Sequence, residues 1–196
     1  MKYDPQKKLN RNTQRTLKAF SEAMFGLLGE KSFEKITVNE LCTRCDYPRA
    51  TFYNYFDDKY DLVSYCWYQL GKDVHLGAAQ TLPTNQSLLA VFDEVYRLFT
   101  SHRELLNHVV EHNPVDGLLI NDFIHHFDRV MTQLFTNGLS NRKTNTPIEL
   151  MAQYYSNTVL LVLEWVFLSQ HDVSLDTARG YLTELLTKPF LSEANS

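Results

Sequence analysis

The stretch that decides the fold is Thr37-Val38-Asn39-Glu40-Leu41-Cys42-Thr43-Arg44-Cys45-Asp46-Tyr47-Pro48-Arg49-Ala50-Thr51-Phe52-Tyr53-Asn54-Tyr55-Phe56-Asp57-Asp58-Lys59. Thr37, with Glu40 three residues later, reads as a capping box, in which each side chain satisfies the other's backbone N–H. A short helix follows through Leu41 to about Arg44, and Asp46 and Pro48 punctuate its end. A second short helix runs from about Arg49 to Tyr55. Two short helices joined by a tight turn, after a longer one, match a helix-turn-helix. In that motif the second helix enters the major groove of DNA and its N-terminal residues meet the base edges.

The second helix presents Arg49, Ala50, Thr51, Tyr53, Asn54 and Tyr55, while Phe52 and Phe56 fall on the opposite, core-facing side. The outward set suits DNA. Arginine can bond guanine bidentately, asparagine can do the same to adenine, and threonine or alanine can touch a thymine methyl. Tyrosine hydroxyls and lysine suit phosphate oxygens, which fix register without reading sequence. Lys59, one turn into the next helix, completes such a phosphate clamp.

Upstream, Leu17, Phe20, Met24, Leu27 and Leu28 recur at helical spacing between Asn12 and Gly29, and Lys31 to Lys35 form a connector. Downstream, Asp57-Asp58 start a longer helix, acidic at its N-terminus as the helix dipole favours, that reaches about Ala79. Thr81-Leu82-Pro83-Thr84 is the clearest internal break. Beyond it the pattern predicts helices at about 84–100, 102–112, 115–137, 147–170 and 174–187. Their stops are Asn113-Pro114, the polar stretch Asn137 to Pro147, and His171-Asp172, and Thr136 to Thr146 is the longest loop. No segment alternates convincingly with period two. The expected fold is all-α.

Composition agrees. A chain of 196 residues with 44% hydrophobic and 21% charged residues can bury a core, and 7 Gly with 6 Pro are too few for a many-turned β-sandwich. Three cysteines make no disulfide framework, which points to a reducing cytoplasm. Met1-Lys2-Tyr3-Asp4-Pro5 lacks the apolar stretch of a signal peptide, and the longest apolar run, Val159 to Leu168, is broken by Glu164, so no membrane association is expected. Residues 1–60 carry 11 Lys and Arg against 8 acids, and residues 61–196 carry 8 against 15. The start is sharper: Lys2, Lys7, Lys8, Arg11, Arg15 and Lys18 face only Asp4. A basic head on an acidic body suits one end to a polyanion. Catalysis finds no support, since a Gly-rich phosphate loop, a G-x-S-x-G elbow and H-E-x-x-H are all missing.

Thr37 to Leu41, followed by Thr51-Phe52-Tyr53-Asn54-Tyr55-Phe56-Asp57-Asp58-Lys59-Tyr60-Asp61-Leu62, resembles the DNA-binding domain of the TetR family of bacterial transcriptional regulators. The specific pattern is T-F-Y-x-[HY]-F-x-x-K-x-x-L, and the likeness covers roughly residues 12–65. The resemblance implies Thr37, Tyr53, Tyr55 and Lys59 as phosphate contacts and Arg49, Thr51 and Asn54 as groove contacts. It further implies a DNA-binding domain over 1–60 and a helical ligand-binding and dimerisation domain over 61–196. Two positions depart from the family: Asp46 stands where glycine is usual, and Pro48 where Ser or Thr caps the recognition helix. Asp tolerates the left-handed conformation, so the turn survives, whereas Pro48 removes a hydroxyl and with it one phosphate contact, unless another group replaces it. The C-terminal part, Tyr154-Tyr155 through Glu164-Trp165 and then Ser174-Leu175-Asp176, is similar to a subset associated with dihydroxyacetone kinase operons.

The resemblance thus implies a repressor that grips a palindrome in double-stranded DNA as a homodimer, is released by a small-molecule effector, and requires no cofactor. The last two long helices would pair across the dimer axis, with Tyr155, Val159, Val162, Val166, Leu182, Leu185 and Leu186 as the candidate seam; a core within one chain is the alternative. Control by a protein partner and a zinc-responsive protein are the alternative functions.

Cys42-x-x-Cys45 has zinc-ligand spacing but no second pair to close a tetrahedral site, so these thiols, like Cys66, read as packed inside. His108 and His112 share a helix face, and His125-His126 lie on the next helix. His108, His112 and His126 are candidate metal ligands, the alternative being ordinary hydrogen-bonders. Phe92, Tyr96, Phe99, Phe123, Phe127 and Trp165 are candidate lining of an apolar effector pocket, with His108 and His112 as polar anchors. A filled aromatic core fits the same pattern.

Overall fold

A computed structural model describes residues 10–73, 84–140 and 143–187. Lys2, Asp4, Lys7 and Lys8 of the basic head, the break at 81–83 and the helical turns expected over 74–79 lie outside the described residues. Among the described residues there are nine α-helices and no strand: α1 (Arg11–Leu28), α2 (Val38–Cys45), α3 (Arg49–Tyr55), α4 (Lys59–Asp73), α5 (Thr84–Ser101), α6 (Arg103–His112), α7 (Leu118–Leu139), α8 (Ile148–Leu163) and α9 (Leu175–Thr187). The all-α expectation holds, and no described helix is long and apolar enough to cross a membrane.

Local chemistry sets most boundaries. Asn10 caps α1, its side chain accepting from the Thr13 N–H at 2.8 Å, and α1 ends at Gly29. Ser174 caps α9 by accepting from the Thr177 N–H at 3.2 Å. Two segments differ from the sequence expectation. Pro114 opens a turn closed by the Gly117 N–H on its carbonyl at 2.9 Å, so α7 starts only at Leu118 rather than near 115. The segment 147–170 is not one α-helix, because α8 passes into a π-helical turn over Glu164–Leu168. There the Ser169 N–H reaches the Glu164 carbonyl at 2.9 Å, and Gln170, at φ 56°, ends the run. The apolar period continues through that turn, which is why the sequence reads as unbroken.

The described residues pack as two compact units, one from within 10–72 and 104–123 and one from residue 73 and within 84–103, 124–140 and 143–187. The division at residue 60 drawn from the sequence follows the DNA-binding motif; these units follow packing.

In the first unit Phe20 of α1 meets Phe52 and Phe56 with ring centroids 5.4 and 6.2 Å apart, and Phe52 meets Phe56 at 5.4 Å. All three are fully buried, as are Leu17, Met24, Leu41 and Leu62. Each buried phenylalanine contributes about 1.5–3 kcal/mol relative to exposure. Trp67 of α4 donates to Asp122 Oδ2 at 3.1 Å and packs on Phe123 at 4.9 Å, so the start of α7 belongs with the motif. The three cysteines are free: Cys42 and Cys66 are buried and Cys45 is half-buried. The Cys66 Sγ lies 3.2 Å from the Ser21 hydroxyl, and burial pushes its thiol up to about 12.

In the second unit Phe99 packs on Phe127 and Phe167 at 5.5 and 5.3 Å, and Tyr96 packs on Phe167 at 5.1 Å while donating to the Val173 carbonyl at 2.5 Å. Asp93, buried on α5, accepts from Arg179 of α9 through Nε at 2.6 Å and through Nη2. A buried carboxylate needs such a partner, and this pair ties the two helices. The apolar stripe read from the sequence as a dimer seam lies largely inside this unit: Val159, Val162, Val166 and Leu182 are buried within the chain. The outward apolar face keeps Leu185 of that stripe and otherwise comes from the adjacent one. Leu161, Trp165, Tyr181 and Leu185 are 57, 39, 39 and 47% exposed, and together with Val162 and Glu184 they line a groove of about 430 Å³. α8 is apolar on most of its circumference, so sequence period alone does not say which stripe faces in.

Candidate nucleic-acid interface

The interface is built on the capping box of α2. Glu40 N–H donates to Thr37 Oγ1 at 3.2 Å, the Thr37 N–H donates to Glu40 Oε2 at 3.0 Å, and the Thr37 hydroxyl donates to the same carboxylate at 2.9 Å. Lys31 also donates to Glu40. Lys31 and the two Thr37 bonds hold the Glu40 carboxyl down to about 2. Thr37 itself is exposed, beside the first turn of α2.

α2 is held on α1 by a residue that the sequence reading passed over. Arg44 forms a two-pronged pair with Glu30, Nη1 to Oε2 at 2.8 Å and Nη2 to Oε1 at 2.7 Å, which lowers the glutamate carboxyl. Its guanidinium lies over Gly26, where an added Cβ would come within 2.9 Å of Nη2. The visible signal is a glycine inside the last turn of an otherwise regular helical pattern.

The turn between α2 and α3 resolves both departures from the family pattern. Asp46 takes the left-handed conformation at φ 56°, ψ 42°, which glycine adopts without strain. Pro48 stands at the N-cap of α3 with no side-chain cap bond, its fixed φ matching the extended cap geometry. The α3 N-terminus therefore offers backbone N–H groups without a capping hydroxyl among them.

α3 divides cleanly between two environments. Phe52 and the following Phe56 are fully buried against Phe20, and this anchors the helix. Arg49, Ala50, Tyr53 and Asn54 are exposed, and Thr51 and Tyr55 are half-buried. Arg49 Nη2 donates to the Tyr53 hydroxyl at 3.3 Å, and its guanidinium lies 5.9 Å from that ring. The two turns of α3 thus carry an arginine, an asparagine and two tyrosine hydroxyls with no acidic side chain among them. That is a surface able to bond both base edges and phosphates.

Lys59 has a different setting. Its ammonium donates to the carbonyls of Phe33, Glu34 and Ile36 at 2.8, 3.0 and 3.1 Å and lies 4.6 Å from the Phe33 ring centroid. A lysine has three donors, and here all three go to the connector around the 3-10 turn Phe33–Lys35. The residue fixes the approach to Thr37 from within the fold.

Residues 22–66 match the sequence profile of the bacterial regulatory proteins of the tetR family. The segment is therefore similar to a TetR-family helix-turn-helix. Beyond that segment the likeness to solved structures is one of fold alone, at low identity. A TetR-family regulator of Streptomyces coelicolor A3 superposes with TM-score 0.66 at 13% identity, over 91% of this chain and 97% of that one. The regulator FadR of Bacillus subtilis, in complex with stearoyl-CoA, gives 0.62 at 16% identity, over 89% and 98%. The dihydroxyacetone kinase operon activator DhaS gives 0.60 at 16% identity, over 87% and 93%. No curated protein matches the sequence.

The residues expected around an effector fall in both units. Phe92, Tyr96, Phe99 and Phe127 are buried in the second unit, where Trp165 stands half-exposed and stacks on His171 at 3.7 Å. His108, His112 and Phe123 belong to the first unit, with His108 exposed, His112 half-buried and Phe123 packed on Trp67. His126, half-buried in the second unit, lies against the Phe127 ring at 6.2 Å. Among the described residues no three His, Cys, Asp or Glu side chains converge as metal ligands.

Proposed function

We propose that this chain is a TetR-type transcriptional regulator of the cytoplasm that binds a palindromic operator as a homodimer and acts as a repressor relieved by an effector. The observation that carries this reading is the division of α3, with Phe52 and Phe56 buried and Arg49, Ala50, Tyr53 and Asn54 outward. Two such helices placed about 34–36 Å apart enter successive major grooves on one side of the duplex. The outward apolar face of Leu161, Trp165, Tyr181 and Leu185 supports pairing of two chains through α8 and α9.

In this reading the effector binds at the aromatic cluster of Phe92, Tyr96, Phe99 and Phe127. FadR of B. subtilis holds stearoyl-CoA, so acyl-CoA thioesters are the first class to screen. Binding tilts α4 and spoils the spacing of the two recognition helices. An effector shifts the balance only by its differential affinity, and a change from 1:99 to 99:1 requires about 5.5 kcal/mol. DNase footprinting upstream of the protein's own gene tests the operator: the reading predicts a protected palindrome, and uniform weak protection contradicts it. The same apolar face favours a second reading, in which another protein docks there; a monomer that footprints the operator only with that partner would support it.

A further inference from the structure

Asn113 lies eighty positions beyond Phe33, outside the helix-turn-helix in sequence, yet it is part of that motif's framework. It follows α6, and its own N–H returns to the Val109 carbonyl at 2.9 Å, closing the helix. Its side chain is 5% exposed and uses both ends. Nδ2 donates to the Val109 carbonyl at 2.9 Å, and Oδ1 accepts the Phe33 N–H at 2.7 Å. Phe33 begins the 3-10 turn that leads to Thr37, and Lys59 grips the carbonyls of that turn. The connector is therefore bonded from two directions, by Lys59 on its carbonyls and by Asn113 on its first N–H. Leu105 of α6 lies against Gly29 at the end of α1, so α6 and the residue that follows it meet the segment leading to α2 at two points.

We infer that Asn113 is a positioning residue for DNA binding, tying the end of α6 to the connector that seats α2, so that displacement of α6 changes DNA affinity. The connector's place sets the capping box, and the box sets where α2 meets the phosphates and where α3 enters the groove. A buried N–H left without its acceptor is costly, so the bond is kept or exchanged for another as a discrete event. The effect on DNA affinity rests on the regulator function proposed above; the tie to the connector does not.

Full-length wild type, Asn113→Ala and Asn113→Asp test this by hydrogen exchange and by operator binding at a temperature where all three are folded. Aspartate keeps an acceptor for the Phe33 N–H and loses the donor to Val109. In Asn113→Ala the amides of residues 33–40 are expected to exchange about tenfold faster and operator affinity to fall about tenfold, with α8 and α9 amides unchanged. Asn113→Asp should restore most of the protection at Phe33 and most of the affinity. Faster exchange spread evenly over the chain, or unchanged exchange at 33–40, overturns the tie. Local loosening with unchanged affinity overturns the effect on DNA. A wild type without specific DNA binding defeats the regulator reading and the effect on DNA together, and the exchange result still decides the tie.

Discussion

Arg49 is exposed and its guanidinium donates to the Tyr53 hydroxyl on the same helix, so its removal should leave the fold intact and act on DNA alone. Arg49→Ala is expected to weaken specific binding by about 1–3 kcal/mol and to relax preference at one base position. Affinity measured against a set of single-base operator variants checks both. Lys59 should behave in the opposite way. Lys59→Met removes three charge-assisted bonds to carbonyls and is expected to cost about 1.5–3 kcal/mol for one such bond, seen in denaturant unfolding. A lysine bound to phosphate would instead reduce the salt slope of DNA binding by about 0.9 per phosphate and spare stability. The contrast shows what was legible at this scale. The outward and inward residues of α3 could be read from spacing, because a helix fixes which neighbours share a face. The setting of Lys59 could not, because its three acceptors come from a segment more than twenty residues upstream.

The elements tell a similar story, with turns and caps legible and packing partners not. Thr37 with Glu40 and the stop at Asp46 follow from local chemistry, and both stand where the sequence put them. Asp46 at φ 56° makes the turn a direct test. Asp46→Gly should hold or raise stability, and Asp46→Ala should lower it by about 1–2 kcal/mol, as thermal melts would show. The capping box predicts a pH effect. The Glu40 carboxyl is held at about 2 in the fold against an ordinary value of 4.5. The folded pKa is the lower one, so the box stabilises α2 in full above about pH 4.5 and loses its contribution as pH falls towards 2. Melting curves of wild type and Glu40→Gln should differ at pH 7 and converge in that acid window; a constant gap would contradict the assignment. The π-helical turn after α8 and the choice of outward stripe were hidden, the first because apolar spacing runs through it and the second because two neighbouring stripes of α8 are both apolar.

For the whole molecule, the all-α architecture followed from helical periods, scarce glycine and capping signals, whereas the association of α6 and the start of α7 with the DNA-binding motif needed long-range contacts such as Trp67 to Asp122. Assembly belongs to this scale as well. Leu161→Glu with Leu185→Glu places charge on the outward face of α8 and α9 without touching the buried core. The double variant is expected to sediment as a monomer and to lose most operator affinity, since each chain then holds one half-site alone. Unchanged sedimentation would move the dimer face elsewhere. Specific reading of DNA by α3 is the property on which the proposed function rests. It is tested most directly by fluorescence anisotropy of the full-length protein on DNA from upstream of its own gene and on scrambled DNA of equal composition, at two salt concentrations. Phosphate contacts alone give affinity that is salt-sensitive and blind to sequence. Tighter binding to the native fragment, kept at the higher salt and lost in Arg49→Ala, is expected; equal affinity for both DNAs at both salt concentrations would mean that α3 does not read sequence.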